Sequence, residues 1–590
     1  MKEMDARSEN GSILVVDVNS KSTKTVLFKR KGDGFEVTGI GEAPTTVEAP
    51  ELDVTTGVLN AIRMIEEKTG ETLVRSGRPV SSVPLICSSS ASGGLHMVVA
   101  GLIKRISAES AQRAALGAGA LLMDQFAVDD DRPPYAKVST LRSLKPDILL
   151  LAGGTDGGAI NQVLEMARII KDSDVKPRFG AEYQLPLIYA GNVEIRDGVT
   201  EILDEDAYAT KVVENVRPVI DRENLGPARE GIYDAYMEHV IVHSPGYSRL
   251  REWTRERIIP SQATVGKMIY AYAQQRGVNL LAVDVGGETT DVYSVYNNIF
   301  NRSLNAGVGL TYGISNVVKE AGVAKVQRWL PPTMDERSLR NNVGNMLVHQ
   351  PSSYTRDQEM IQAAVAREAI RLGVEQHREI ASRLKGVQLN RNLSDLFNQA
   401  LEPTYIDMMR THVVIGKGDV FREQGYEQSA MILLDSLQPE GFTELYVDDS
   451  SLMAHLGSLL DRDRDAAVDL FVSRCVKYLG TCVAPRGSLR EGDEAVKLGL
   501  SDQAGEKVQH TVRFGEIKVL PLREDASVEL TVQPLKLDVG AGRGKPVTRM
   551  VTGGVLGVII DARGRPLRHP NRQMALISVE PQLASAAEGL

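Results

Sequence analysis

The sequence predicts an α/β protein of several domains that ends in an antiparallel β region. Predicted strands, glycine turns and helices alternate through residues 84–190, as in a parallel sheet. Two hairpins of similar plan, at residues 13–29 and 281–295, each begin with an apolar strand that ends at an aspartate. From about residue 474, apolar and polar residues alternate between glycine and proline turns, which predicts antiparallel strands.

The length of 590 residues is too great for one hydrophobic core and predicts three or four domains. We expect a first lobe with hairpin 1 at 1–115, and an α/β insertion or continuation of that lobe at 116–280. A second lobe with hairpin 2 is expected at 281–473, and a C-terminal β-rich domain at 474–590.

Composition excludes several classes of function. The net charge of −9 and pI near 5.7 give no basic surface for phosphate backbones, and aromatics at 5% are too few for a stacking platform, so nucleic acid is not an expected partner. The polar N-terminus is not a secretory signal, and no apolar run approaches the ~20 residues that cross a bilayer. Three cysteines are too few for a disulfide framework. We expect a cytoplasmic protein with no membrane partner.

The second hairpin has residues suited to an anion and a divalent cation. A predicted strand at 281–283 runs into Asp284, and the following turn contains Gly286 and Gly287. Paired glycines let backbone N–H groups approach an anion because no Cβ is in the way. Thr289 adds a hydroxyl donor, and Asp284 and Asp291 offer oxygen ligands to a cation, directly or through water.

The first hairpin repeats this plan. A predicted strand at 13–16 ends at Asp17, and a polar turn with Ser20 leads to Ser22, Thr23 and Lys24 before a second strand. A pair of such hairpins predicts a polyphosphate site with one hairpin from each lobe. The alternative is two unrelated hairpins with solvated tips, because Asp, Asn, Ser and Gly favour turns without any ligand. The pair favours the nucleotide.

Three further glycine turns follow predicted strands, at residues 88–94, 153–158 and 416–418. The turn at 153–158, GGTDGG, would hold an anion on helix N–H groups, or simply allow a tight strand-to-helix turn. The turn at 88–94 has the same two interpretations. Gly416 and Gly418 would let the backbone approach a flat base, or form a plain turn.

Two other patterns are set aside. Residues 540–544, GAGRG, are not a P-loop, because no helix follows and Pro546 takes the Ser/Thr position. His239 and His243 stand four apart without a third metal ligand, and we interpret them as structural.

The remaining elements follow from periodicity. Helical segments are predicted at 52–69, 95–106, 161–171, 201–231, 260–276, 431–437 and 451–460. Residues 323–387 are predicted to be largely helical, with breaks at Pro331-Pro332 and Pro351. Strands are predicted at 84–87, 147–152, 185–190, 412–415 and 445–448.

The two Asp-led hairpins and the later glycine turn resemble the ATPase superfamily of actin, sugar kinases and heat-shock chaperones, in which these elements line one interdomain cleft. Within it, the chain resembles the GlmL or MutL proteins, accessory proteins of adenosylcobalamin-dependent glutamate mutase that are unrelated to the mismatch-repair protein. The matching segments are DVNSKSTKTVL, LICSSSASGGLHMVVAGL, LLLAGGTDGG, IYAGN, VDVGGETTDVYSV and GGVLGVIIDARGRP. The resemblance implies a two-lobed actin-like ATPase fold with insertions, plus the C-terminal β domain.

The resemblance also implies roles for matching positions. Asp17 and Asp284 would hold Mg²⁺ through its water shell and position the attacking water. The residues implied to contact phosphate are Ser20, Ser22, Thr23, Lys24, Gly286, Gly287, Thr289 and Asp291, and those implied to approach adenosine are Gly416 and Gly418. Two positions depart from the family pattern. Asn19 replaces a glycine, and Glu288 replaces a small residue, where its charge would either coordinate metal or repel the γ-phosphate.

The implied function is Mg²⁺-dependent ATP hydrolysis that protects, reactivates or loads a cobalamin-dependent mutase. No residue of the sequence reports on cobalamin itself. The alternatives are a metabolite kinase of the same fold, a non-catalytic nucleotide-binding scaffold, and a filament-forming relative of actin.

Overall fold

The structure is a computed structural model that describes residues 11–32, 34–90, 95–203, 206–254, 256–348, 354–382, 384, 404–501, 507–524 and 526–567. The chain divides into two compact units, of which only these residues are described below. Unit 1 comprises Met1–Ala271, Arg383–Pro403 and Leu452–Phe471, and unit 2 comprises Tyr272–Ser382, Thr404–Ser451 and Val472–Leu590.

The regular elements alternate between strands and helices along most of the chain. The strands are β1 (Ser12–Val18), β2 (Ser22–Lys31), β3 (Gly34–Pro44), β4 (Val74–Arg75), β5 (Arg78–Pro79), β6 (Leu85–Ser89), β7 (His96–Gly101), β8 (Leu121–Ala127), β9 (Ile148–Leu151), β10 (Leu185–Tyr189), β11 (Tyr208–Val212), β12 (Ile259–Pro260), β13 (Leu280–Val285), β14 (Thr289–Tyr296), β15 (Ile299–Ala306), β16 (Val413–Lys417), β17 (Gly441–Asp448), β18 (Val476–Ala484), β19 (Glu494–Ser501), β20 (Lys507–Arg513), β21 (Ile517–Leu520), β22 (Ser527–Pro534), β23 (Val547–Thr552) and β24 (Val558–Asp561). The α-helices are α1 (Val54–Thr69), α2 (Glu109–Gly117), α3 (Pro134–Leu144), α4 (Asn161–Ser173), α5 (Arg196–Ile202), α6 (Gly226–Ala235), α7 (Tyr247–Trp253), α8 (Ser261–Arg276), α9 (Ile314–Ala321), α10 (Val323–Gln327), α11 (Glu336–Val348), α12 (Arg356–Ile380), α13 (Asp419–Glu423), α14 (Tyr426–Leu437), α15 (Met453–Leu459) and α16 (Arg464–Leu470).

Unit 1 contains a five-stranded sheet with the order β12-β6-β1-β2-β3. Strands β1, β2 and β3 form an antiparallel meander, and β6 and β12 continue the sheet in parallel with β1. Every residue of β1 is buried, as its apolar sequence requires of a central strand. Helix α1 lies directly on β3, where a Cβ at Gly41 would come within 1.9 Å of the Ala61 carbonyl oxygen.

A second sheet in unit 1 is fully parallel, with the order β11-β10-β9-β7-β8. The helix predicted over 95–106 is wrong, because residues 96–101 form β7 and a π-helical turn follows at Lys104–Ala108. The inner strands of this sheet are buried on both faces, so an apolar run has no period that separates strand from helix. The helix over 201–231 is also largely wrong, since β11 occupies part of it as an edge strand.

Unit 2 contains an eight-stranded sheet with the order β15-β14-β13-β16-β17-β18-β24-β21. Its first five strands repeat the plan of the first sheet of unit 1: an antiparallel meander, β13 to β15, followed by two parallel strands, β16 and β17. Helix α12 packs against β14 and β15 and buries fourteen residues, including His377. Its first turn is closed by a capping box between Thr355 and Gln358.

The C-terminal part contributes to two sheets. Strands β18, β21 and β24 extend the eight-stranded sheet, whereas β19, β20, β22 and β23 form a separate antiparallel sheet. The predicted α/β class and the C-terminal antiparallel sheet are therefore confirmed. Among the described residues, no helix is both long and apolar enough to cross a membrane.

Candidate functional site

The second Asp-led hairpin places charged side chains at one end of the sheet in unit 2. Asp284 is the penultimate residue of β13, opposite Asp291 on β14 and beside Lys417 on β16. Lys417 Nζ lies 2.6 Å from Asp284 Oδ2, and both side chains are partly exposed, at 25% and 18%. The two strands hold this ion pair in register although its residues are 133 positions apart in the chain.

Asp291 is held more deeply than Asp284. Its Oδ1 accepts hydrogen bonds from Arg302 Nε at 2.8 Å and Nη2 at 2.5 Å, and both side chains are almost fully buried. Burial raises the pKa of Asp291, and the Arg302 guanidinium opposes that rise. Oδ1 of Asp291 is thus already occupied by the Arg302 cation.

Asp448 is a third carboxylate at this edge, at the end of β17. Its Oδ1 accepts hydrogen bonds from the Ser451 backbone N–H at 2.8 Å and the Cys475 thiol at 3.4 Å. Its Oδ2 is buried and has no hydrogen-bond partner among the described residues. Burial raises the pKa of Asp448, and the nearby Lys417 ammonium opposes the rise.

These side chains form one line across five neighbouring strands, which we name the charged row: Arg302, Asp291, Asp284, Lys417 and Asp448. It contains three carboxylates and two cations. Carboxylate oxygens are the ligands that Mg²⁺ prefers, and Asp284 is the carboxylate of the row whose side chain is partly exposed, so the row fits a divalent cation at Asp284. No group of three or more His, Cys, Asp or Glu in the described ranges could enclose a metal, so further ligands would be water or phosphate.

The turn between β13 and β14 presents backbone rather than side chains. Gly286 N–H donates to the Thr289 carbonyl, and the carbonyls of Gly286 and Gly287 accept from Leu310 and Thr311 N–H. Gly309 packs against the turn so closely that a Cβ there would lie 2.5 Å from the Glu288 nitrogen. Glu288 itself is exposed at the tip.

The glycines predicted to approach adenosine have structural reasons for being glycine. A Cβ at Gly416 would lie 2.9 Å from the Phe421 ring. Gly418 has φ +124°, and a Cβ there would lie 2.3 Å from the Val285 carbonyl oxygen. This close packing keeps the two strand ends together whether or not a base binds.

The first hairpin surrounds Asp17 with neutral donors. Asp17 is 5% exposed, and its Oδ1 accepts from the Ser88 hydroxyl at 2.7 Å and the Ser261 hydroxyl at 2.6 Å. Its Oδ2 accepts from Asn19 Nδ2 at 2.9 Å. With both oxygens engaged, Asp17 is suited to orient water molecules or hydroxyls more than to bind a bare metal ion.

The four predicted phosphate contacts of hairpin 1 differ in exposure. Ser20 is exposed, and the Ser22 hydroxyl donates to Glu42. Thr23 is fully buried and its hydroxyl is bonded to Thr45. The Lys24 side chain lies 3.8 Å from the Glu42 carboxylate. Ser20, Ser22 and Lys24 can therefore meet a ligand in this conformation more readily than Thr23.

His455 is close to Asp17 and was missed by the sequence reasoning. It is 1% exposed, its Nε2 lies 3.1 Å from the Lys24 carbonyl oxygen, and its Nδ1 has no hydrogen-bond partner among the described residues. Burial lowers the pKa of His455, and the charge of Asp17 opposes this effect. No local pattern could have linked His455 to a hairpin 431 positions away in the chain.

Lys417 and Asp448 were also missed, although each had a visible signal. Lys417 stands between the two glycines of the 416–418 turn, and Asp448 ends an apolar strand as Asp17 and Asp284 nearly do. The GGTDGG turn follows β9, where Asn215 Nδ2 donates to Asp156 at 2.9 Å. The turn at 88–94 lies largely outside the described residues.

The other set-aside residues lie elsewhere in unit 1. His243 stacks against Tyr183 with ring centroids 3.9 Å apart, which agrees with a packing role. His239 lies in a π-helical turn, where burial lowers its pKa.

Fold and site together define an α/β protein in which one five-stranded plan occurs twice, each time with a hairpin whose first strand carries an aspartate near its end. The chain belongs to the MutL protein family, whose model matches residues 13–475. It is 27% identical over 492 residues to Protein MutL of Clostridium tetanomorphum, and the match covers 79% of this chain and 99% of that relative.

Two solved structures show remote likeness. One is nucleotide-free acetone carboxylase, from work on ATP-dependent acetone carboxylation, with a TM-score of 0.34 and 12% identity over 86% of this chain and 81% of the other. The other is a glycerol dehydratase reactivase, with a TM-score of 0.27 and 10% identity over 76% of this chain and 99% of the other.

Proposed function

We propose that the chain binds Mg-ATP and hydrolyses it, and that hydrolysis serves a cobalamin-dependent mutase by protecting it, reactivating it or loading its cofactor. The proposal that the chain binds a nucleotide rests on the strand arrangement that the two sheets share. Asp17 on β1 and Asp284 on β13 occupy the same penultimate strand position, each between an antiparallel and a parallel neighbour. Membership of the MutL family supports the accessory role.

ATP hydrolysis would require these residues to position groups and neutralise charge, and not to form covalent bonds with the substrate. Phosphoryl transfer to water depends on positioning and charge neutralisation more than on covalent catalysis. When bound, Mg²⁺ would neutralise phosphate charge. Asp284 would hold the water shell of the ion. The turn at Gly286 and Gly287 would let phosphate approach the Gly287 N–H, whereas the Gly286 N–H already donates to the Thr289 carbonyl. Asp17, fixed by Ser88 and Ser261, would accept a hydrogen bond from the attacking water.

The test of the nucleotide part is ATP turnover by the full chain with Mg²⁺ and no acceptor. We expect phosphate release that falls at least about tenfold in Asp17→Asn and in Asp284→Asn, the usual scale for a positioning group in the reaction. Asp449→Asn, which changes an exposed neighbour of Asp448, serves as the matched control and retains turnover. Turnover only in the presence of a metabolite acceptor would support the kinase instead.

The test of the partner part is separate. A cobalamin-dependent mutase should co-purify with the wild-type chain, and the amount captured should differ between ATP and ADP. The Asp284→Asn chain should lose that nucleotide dependence. Equal capture with and without nucleotide, together with normal mutase activation by Asp284→Asn, would indicate a non-catalytic scaffold.

A further inference from the structure

The charged row contains a cation that is positioned to compete with a metal ion. Lys417 Nζ is bonded to Asp284 Oδ2, the carboxylate proposed to hold the Mg²⁺ water shell. A lysine ammonium and a magnesium ion repel each other, so an ammonium held on Asp284 weakens the binding of a metal ion beside that carboxylate. Binding of metal beside Asp284 is therefore stronger when Lys417 gives up this oxygen.

The structure provides a second acceptor for the displaced ammonium. Gly416 pairs with Val447 in the parallel register of β16 and β17, so the next residues along, Lys417 and Asp448, are neighbours at the strand ends. Asp448 is 1% exposed, and its Oδ2 has no hydrogen-bond partner among the described residues. A buried carboxylate oxygen without a donor is costly, and an ammonium would satisfy it.

Lys417 lies between the two acceptors in the sheet, because β16 pairs with β13 on one side and with β17 on the other. Lys417 has a flexible four-carbon stem with three donors on its ammonium, and its side chain is one-quarter exposed. Rotation about the bonds of this stem turns the ammonium from one neighbouring strand towards the other. Arg302 does not take part, because its guanidinium is buried against Asp291.

We propose that Lys417 is an internal cation that competes with Mg²⁺ for Asp284, and that Asp448 receives Lys417 when the metal binds. The inference rests on the proposed Mg-nucleotide site. Lys417 and Asp448 are positioning residues in this account, because they act on the metal through Asp284. In the absence of metal, Lys417 neutralises the charge of Asp284, and this reduces the electrostatic repulsion among the carboxylates of the charged row.

The competition predicts opposite effects for two neighbouring residues. Lys417→Met removes the competitor, so the Mg²⁺ concentration for half-maximal nucleotide binding should fall roughly fivefold, the scale of one partly exposed ion pair. Asp448→Asn removes the acceptor of the displaced ammonium. The Mg²⁺ concentration for half-maximal nucleotide binding should therefore rise, also by roughly fivefold. In the double variant Lys417→Met/Asp448→Asn, the substitution of Asp448 should no longer raise the Mg²⁺ midpoint, because the competing ammonium is absent.

The measurement is binding of a fluorescent ATP analogue to the full chain during titration with MgCl₂. Lys518→Met and Asp449→Asn are the matched controls, and neither should move the midpoint. Lys417→Arg keeps a cation and should stay near the wild-type midpoint. Thermal melting without Mg²⁺ establishes that each variant is folded.

Several outcomes would overturn the inference. A shift of the Mg²⁺ midpoint in the same direction in both single variants would indicate general damage to the site. Loss of nucleotide affinity in Lys417→Met at saturating Mg²⁺, with an unchanged midpoint, would make Lys417 a phosphate ligand instead. If the wild-type chain binds the analogue without any Mg²⁺ dependence, the proposed Mg-nucleotide site itself fails, which is a distinct result.

Discussion

His377 predicts that unit 2 loses stability in mild acid. This residue of α12 is fully buried, and its two ring nitrogens lie 2.8 Å from the hydroxyls of Ser303 and Ser294. Burial lowers the pKa of His377 to about 3, from an ordinary value of 6.5. The folded unit therefore keeps the imidazole neutral, whereas the unfolded chain binds a proton there once the pH falls below about 6.5.

The size of the effect follows from proton linkage. As the pH is lowered, only the unfolded state binds the extra proton at His377, and this lowers the free energy of the unfolded state. The stability that His377 contributes to the folded state therefore decreases as the pH is lowered. That contribution is complete above a pH of about 6.5 and is lost progressively towards a pH of about 3. Between pH 8 and pH 5 the loss is about 2 kcal/mol, because the folded-state pKa lies well below this range.

The assay is urea unfolding at pH 8 and pH 5 in a Trp253→Phe background, where Trp329 reports on unit 2. His377→Gln cannot titrate, so its loss of unfolding free energy between the two pH values should be smaller by about 2 kcal/mol. The comparison is between pH values within each variant, which removes any constant cost of the substitution. Equal losses in the parent chain and in His377→Gln would refute the assigned protonation state.

Three further substitutions have defined outcomes. Gly418→Ala should unfold or strongly destabilise unit 2 in thermal melts, because φ is +124° and the new Cβ would lie 2.3 Å from the Val285 carbonyl oxygen. Asp561→Asn should lower the free energy of unfolding by about 3–5 kcal/mol in urea titrations, because it removes the buried carboxylate that the guanidinium groups of Arg563 and Arg565 share. Thr355→Ala should cost about 1 kcal/mol through loss of the α12 capping box, whereas Thr355→Ser should retain most of it.

Local pattern predicted the elements whose chemistry is contained in a short stretch. Each Asp-led hairpin is such a stretch, because the strand, the aspartate, the turn and the return strand lie within about 20 residues of sequence. The C-terminal antiparallel sheet followed for the same reason, from alternation and turns. The helix predicted at β7 is wrong because a strand buried on both faces has no alternation of apolar and polar residues that would identify it.

Partners brought together by parallel strand pairing could not be read from the sequence. Lys417 reaches Asp284 only because β16 lies beside β13 in the sheet. Asp448 lies next to Lys417 because β17 pairs with the other edge of β16. Ser261 reaches Asp17 across 244 positions of the chain. In each case the spatial arrangement of the strands, a property of the whole fold, determines which charge or donor the aspartate meets.

The most direct test of the central claim is calorimetric binding of ATP to the full chain with and without Mg²⁺. The account predicts binding that requires Mg²⁺ in the wild-type chain and weakens at least about tenfold in Asp284→Asn, with Asp449→Asn unchanged. Binding of ATP that is equally tight without Mg²⁺ and in Asp284→Asn, or no binding by the folded wild-type chain, would contradict it.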